Sequence, residues 1–262
     1  MLSYPKLERA ENGGVVYFTD DALFSCTNVR IAFLTRLGGV SSGEFSSLNV
    51  GKHVYDDLQD VAKNRNLVLQ ALAQNADNVR IYSPHQVHGD EVLELDSAEL
   101  PEEIDADGVI CNCVNVAPML CFADCCPVVL ASENGVFAVI HAGWRGVVNR
   151  ISAKAFKKMT KEFLCDPSSV NAYVGPHLHQ CCFEVGEDVA KTFADEFGNS
   201  VVDDNLHVSM IDALKLQLTE VGLPHERFCD LNMCTKCNAD LFFSYRATGG
   251  KCGRHGAIAF RE

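Results

Sequence analysis

Short runs of β-branched and aromatic residues alternate along the chain with amphipathic stretches of helical period. VVYF at 15–18, VRIAFLT at 29–35, VRIYS at 79–83, EVLEL at 91–95 and VFAVI at 136–140 predict strands. Leu58, Val61, Arg65, Val68, Leu69 and Leu72 recur at helical spacing behind a cap at Asp56 or Asp57, and predict a helix. Val148, Ile151, Ala155, Phe156, Met159 and Phe163 predict another in the same way. Weaker helices are predicted over 187–197 and 209–221, the second opened by Ser209 and closed by Gly222 and Pro224. The whole pattern is that of a mixed α/β (α+β) fold.

Three segments break both periods and collect glycines, polar residues and ligating side chains: 35–51 (TRLGGVSSGEFSSLNVG), 174–186 (VGPHLHQCCFEVG) and 234–255 (CTKCNADLFFSYRATGGKCGRH). HQVHG at 85–89 and ADCCP at 123–127 lie between predicted strands. Irregular backbone carried on rigid elements is where binding and catalytic groups concentrate.

A length of 262 residues, 47% of them hydrophobic, suffices for a large core. No linker or fixed-period repeat divides the chain, so residues 1–262 are expected to form a single domain. The net charge of −13 argues against a general nucleic-acid or membrane-surface binder, although a local basic pocket can still take a small anion. MLSYPKLERAENGGVV has neither the basic region nor the apolar stretch of a signal peptide, and no uncharged apolar run is long enough to span a bilayer. A cytoplasmic protein is expected. The cysteines number 13, an odd count without an export signal, which points to thiols, ligands and core fillers rather than a disulfide framework.

Catalytic zinc commonly takes three protein ligands from imidazole nitrogen and thiolate sulfur and leaves a fourth position to water. His88, Cys125 and His141 offer that set at predicted strand ends: His88 before 91–95, Cys125 before PVVLA, His141 just after VFAVI. Their spacing matches no short metal motif, and a pair of hydrogen-bonded histidines beside a buried thiol is the competing reading. Asp124 stands where it could orient the site, and Ala142, Gly143 and Gly146 suggest a turn with room for a ligand.

QVHGDEV at 86–92, DADGVI at 105–110, ADCCPVVL at 123–130, HAGWRG at 141–146, GP at 175–176 with FEVG at 183–186, and CT at 234–235 with SYR at 244–246 together resemble the YfiH family, also labelled multicopper polyphenol oxidase or laccase-domain protein. The matching segments run in order from about Thr35 to Arg254, most of the chain. The resemblance implies zinc on His88, Cys125 and His141, and an αββα arrangement of mixed sheets. It further implies a purine nucleoside phosphorylase that accepts adenosine, inosine, guanosine and methylthioadenosine, with adenosine deaminase activity beside it. His177 departs from the pattern, since many relatives carry a Cys after GP.

Zinc lowers the pKa of water to roughly 7, which makes hydroxide available for attack on C6 of a purine. Deamination then needs a proton shuttle, and the H-x-E…P-C-x-x-C pattern of the known zinc nucleobase deaminases is missing. Asp124 is the first candidate and His85 the second. Phosphorolysis needs a phosphate holder, for which Arg36 and Arg145, both near glycines, are candidates; Asn49 is a candidate contact to ribose or base.

Cys229, Cys234, Cys237 and Cys252 give C-x₄-C-x₂-C and a fourth Cys, the order of a plant-type iron–sulfur site. The fourth lies too close in sequence and only Cys234 belongs to the family pattern, so a cluster is not expected. Other classes remain as alternatives. A copper-dependent polyphenol oxidase would need more paired imidazoles than the 9 His here, of which only His177 and His179 form H-x-H, so zinc is expected, with copper binding in vitro. A hydrolase editing peptidoglycan precursors would use the same zinc site. A nucleophilic Cys125 would compete with its role as a ligand. A zinc-stabilised binding module would hold metal without turnover.

Overall fold

The computed structural model describes residues 2–97, 99–102 and 104–262. Strands β1 (Glu8–Asn12), β2 (Val15–Thr19), β3 (Val29–Leu34), β4 (Arg80–Tyr82), β5 (Val92–Leu95), β6 (Gly108–Cys111), β7 (Val116–Phe122), β8 (Cys126–Ser132), β9 (Phe137–Ala142), β10 (Val170–Val174), β11 (Phe228–Asp230) and β12 (His255–Arg261) form two mixed sheets. One runs β1-β2-β3-β12-β7-β4 and the other β11-β10-β8-β9-β6-β5. The helices are α1 (Asp21–Thr27), α2 (Leu58–Leu72), α3 (Trp144–Val148), α4 (Ile151–Lys161), α5 (Glu187–Phe197), α6 (Met210–Glu220) and α7 (Tyr245–Thr248).

Side-chain alternation sorts the core into three layers. Ile31, Phe33, Leu120, Phe122 and Ala257 from the first sheet meet Val109, Val129, Val139 and Tyr173 from the second in one buried cluster between the sheets. The opposite face of the first sheet, with Leu34, Met119 and Phe260, is covered by Val68, Leu69 and Leu72 of α2. The opposite face of the second, with Val128, Leu130, Ile140 and Val174, is covered by Phe156 and Met159 of α4, Phe193 of α5 and Leu214 of α6. The layers are therefore α-β-β-α, as the resemblance implied. Burying one such side chain contributes about 1.5–3 kcal/mol, and most strands here are buried on both faces.

The predicted strands and helices are present with small changes at their ends. Asp57 accepts from the Gln59 N–H and caps α2. Ser209 caps α6, and Gly222 follows with φ +102°, a conformation that favours glycine. The helix predicted across 148–163 is α4, shorter at both ends; Val148 closes the separate α3, and Arg150 stands between the two at left-handed φ 61°. Its guanidinium pairs with Glu196 of α5 and Glu220 of α6, tertiary contacts that periodicity does not carry. No helix among the described residues is long and apolar enough to cross a membrane.

Candidate metal centre

Sheet order brings the ligating residues together. β5, β6, β9 and β8 are neighbours, and each has a chemically active residue at or before the same end. In the β8–β9 register Pro127 faces His141 and Cys126 faces Ala142, so Cys125 lies diagonally across from His141 on the same face. In the β6–β9 register Gly108 faces Ile140, which sets Asp107 beside His141, and the His141 N–H donates to the Asp107 carbonyl at 2.7 Å. His88 closes the row from the loop before β5.

One ring nitrogen each of His88 and His141 and the Cys125 sulfur all lie within 4.8 Å of one another. The two rings stand edge to face with centroids 4.8 Å apart. The site opens at the mouth of the inter-sheet layer, where the Phe122 ring of the opposite sheet packs 5.3 Å from that of His141. His141 is the penultimate residue of β9 rather than the residue after it, so the strand runs two residues past the end of its apolar run.

Asp107, buried and absent from the sequence-derived site, organises this corner. Its Oδ1 accepts from His141 Nδ1 at 2.7 Å and from the His88 N–H at 3.1 Å, while Oδ2 accepts from the N–H groups of Val87 at 3.2 Å and Gly89 at 2.7 Å. Burial pushes this carboxyl up, but the hydrogen bonds from His141, Gly89 and Val87 outweigh it and hold it below its ordinary value. An ionised Asp107 fixes the proton of His141 on Nδ1, so that the neutral ring turns its Nε2 lone pair toward Cys125 and His88, the arrangement usual behind a metal-bound imidazole. It also holds His88 at φ 58°, which a non-glycine residue adopts only when its surroundings require it. The signal was in DADGVI, whose second Asp is Asp107.

Burial raises the Cys125 thiol, yet the adjacent His141 and His88 overcome this and bring it down to about 6. Burial lowers His141, while the Cys125 thiolate and Asp107 raise it to about 9. The two shifts describe one thiolate–imidazolium pair. Gly143 completes the cradle: a Cβ there would stand 3.2 Å from His88 Cδ2 and 3.3 Å from Cys125 Sγ. Three soft or borderline donors, a carboxylate behind one imidazole and space kept by a glycine fit a zinc-type ion.

These residues floor a cavity of about 540 Å³, a size suited to a small organic ligand. His85, Asp124 and Arg145 of the sequence-derived set line it, together with Trp144, Phe183, Tyr245, Arg246 and Arg254. His85 Nδ1 pairs with Asp105 Oδ1 at 2.8 Å. Both Asp124 carboxylate oxygens are engaged, accepting from Thr235 Oγ1 and from the Arg246 N–H, each at 2.6 Å. Arg145 lies over the Trp144 ring at 4.3 Å.

Two sequence candidates do not line the cavity. Arg36 donates to the carbonyls of Ser46 and Ala239, both at 2.8 Å, and covers the Phe243 ring, so its guanidinium fastens loops. Asn49 is fully buried; it donates to Asp56 at 2.8 Å and accepts from the N–H groups of Gly51 and Arg254. The cations that do face the cavity include Arg246 and Arg254, the first of which stands in the SYR segment.

The four cysteines set in iron–sulfur order do not gather at one point. Cys229 lies in β11 and Cys252 near Arg254, whereas Cys234 and Cys237 meet Cys181 and Cys182. His177, buried, donates from Nδ1 to the Gly175 carbonyl and groups with His179 and Asp230.

Residues 30–262 match the family described as multi-copper polyphenol oxidoreductase laccase. The chain belongs to this family. It is 31% identical over 241 residues to the purine nucleoside phosphorylase YlmD of Bacillus subtilis, covering 86% of each chain. It is 29% identical over 240 residues to the adenosine deaminase RL5 of an unknown prokaryotic organism, covering 85% of this chain and 90% of that one. The crystal structure of Bacillus licheniformis YfiH superposes with a TM-score of 0.86 at 24% identity, over 96% of this chain and 98% of that one. The YfiH-like fold and family membership expected from the motifs are thus both found.

Proposed function

We propose that this chain is a zinc-dependent purine nucleoside phosphorylase, with His88, Cys125 and His141 as the metal ligands. The observation that carries the proposal is the convergence of these donors, backed by Asp107, on the floor of a cavity whose walls combine arginines with aromatic rings. The relatives named as purine nucleoside phosphorylases supply the substrate class.

Phosphorolysis breaks the bond between C1′ of ribose and the purine nitrogen. A phosphate oxygen bonds to C1′, and the base leaves with the electron pair and takes up a proton. Arg145 and Arg246 hold the phosphate through charge-assisted hydrogen bonds. Trp144, Phe183 and Tyr245 offer flat apolar surface to the base. His85, oriented by Asp105, delivers the proton. Asp124, with both oxygens engaged by Thr235 and Arg246, positions the wall instead. The metal, when bound, supplies Lewis-acid stabilisation of developing negative charge.

Deamination of adenosine is a second reading, supported by the likeness to the deaminase RL5; there water replaces the amino group and ammonia leaves. Incubation of the purified protein with adenosine, with and without phosphate, separates the two by chromatography of the products. Adenine formed only with phosphate supports phosphorolysis, inosine supports deamination, and the absence of both products overturns the proposal. Oxygen uptake with a phenol on copper-loaded protein tests the oxidase reading in the same preparation.

A further inference from the structure

A second group of soft ligands lies beside the cavity wall. The sulfur atoms of Cys181, Cys182, Cys234 and Cys237 all fall within 4.8 Å of one another. Cys181 is 3.7 Å from Cys182 and 3.8 Å from Cys237, and Cys182 is 3.5 Å from Cys237. These separations far exceed a disulfide bond of about 2.05 Å. A tetrahedral zinc with sulfur ligands at about 2.3 Å has ligand atoms about 3.8 Å apart along each edge. The three measured edges match that tetrahedron. A multi-iron cluster has to fit its irons and bridging sulfides between the cysteines, so its ligand sulfurs stand farther apart than these.

We propose that Cys181, Cys182, Cys234 and Cys237 bind a structural zinc ion, separate from the metal floor of the cavity. The two halves of the ligand set come from turns that pre-form locally. The Cys182 N–H donates to the His179 carbonyl at 2.9 Å, and the Asn238 N–H to the Cys234 carbonyl at 3.0 Å. Binding of a divalent ion by the four cysteines releases their thiol protons.

The ion would tie together two loops that form one wall of the cavity. Arg246 donates to the Cys182 and Glu184 carbonyls, and its N–H, with Thr235, holds Asp124. Fixing the four sulfurs therefore fixes the backbone behind Arg246 and Phe183.

Metal content of the full chain, prepared under reducing conditions, tests the site without reference to catalysis. Wild type is expected to retain one more equivalent of zinc than either the His88→Ala/His141→Ala variant or the Cys182→Ser/Cys237→Ser variant. Cobalt(II) added to metal-stripped His88→Ala/His141→Ala protein is expected to give intense sulfur-to-cobalt charge-transfer absorption. Alkylation of Cys237 in wild type, which needs no folded variant, is expected to speed up about tenfold or more when zinc is stripped. A His88→Ala/His141→Ala protein that binds no metal and gives no charge-transfer band overturns the proposal, as does a Cys182–Cys237 disulfide in wild type. A protein without nucleoside activity that still shows the second equivalent overturns the functional reading alone.

Discussion

At the scale of single residues, Asp107 and the Cys125–His141 pair carry the site. Replacing Asp107 by Asn removes the charge that fixes the His141 tautomer, and loss of such a partner costs about 10–100-fold in metal affinity. Competition with a chromophoric chelator measures this directly. Metal binding requires the Cys125 thiolate and a neutral His141, whereas the metal-free pair at neutral pH is thiolate and imidazolium. Zinc binding between pH 7 and 8 is therefore expected to release a proton, seen as a buffer-dependent enthalpy in calorimetry. The sign of the pH dependence follows: with His141 raised to about 9, zinc affinity already falls as pH drops below that value, and it falls more steeply below about 6, where Cys125 takes up a second proton. An ordinary thiol would compete with protons from a higher pH. Residue types made His88, Cys125 and His141 legible, but Arg36 and Asn49 were equally plausible by type and turned out to fasten loops. A side chain's chemistry is readable in sequence, while the direction in which it is spent is not.

At the scale of elements, the β9–α3 junction sets the room above His88, Cys125 and His141. Gly143 has φ −66°, so a side chain there meets no backbone penalty and collides only with the cradle. Gly143→Val is expected to lower kcat/KM for nucleoside by at least about tenfold while the urea midpoint moves little; equal loss of both would show a folding role instead. Tyr173, buried in β10, donates to Asp20 at 2.7 Å, and Asp20 caps α1 through the Ala22 and Leu23 N–H groups. Tyr173→Phe is expected to cost about 1–3 kcal/mol by denaturant titration, with turnover intact, since the carboxylate loses a buried donor. Local periodicity placed α2, α5 and α6 well because each buries one stripe. It missed the break at Arg150, whose conformation is held by two glutamates on other helices.

At the scale of the whole molecule, a net charge of −13 surrounds a cavity lined by Arg145, Arg246 and Arg254. Under the proposed phosphorolysis the acidic exterior repels phosphate over most approaches, and the arginines recover it only at short range. Raising salt from low to about 0.5 M is expected to lower KM for phosphate and leave kcat within about twofold, because screening relieves the long-range repulsion more than it weakens the short arginine contacts. A KM that rises severalfold with salt would show instead that attraction by the arginines governs the approach.

The sequence by itself determined the alternation of strands and helices, the residue types able to ligate a metal and the family, since these depend on local periodicity and on side-chain chemistry in ordered motifs. Only the tertiary structure decided that β5, β6, β9 and β8 stand side by side, that Asp107 backs His141, and that Cys234 and Cys237 meet Cys181 and Cys182 rather than Cys229 and Cys252. The physical reason is distance along the chain. Contacts between residues a few positions apart follow from backbone geometry, whereas those between distant residues follow from which buried faces pack together.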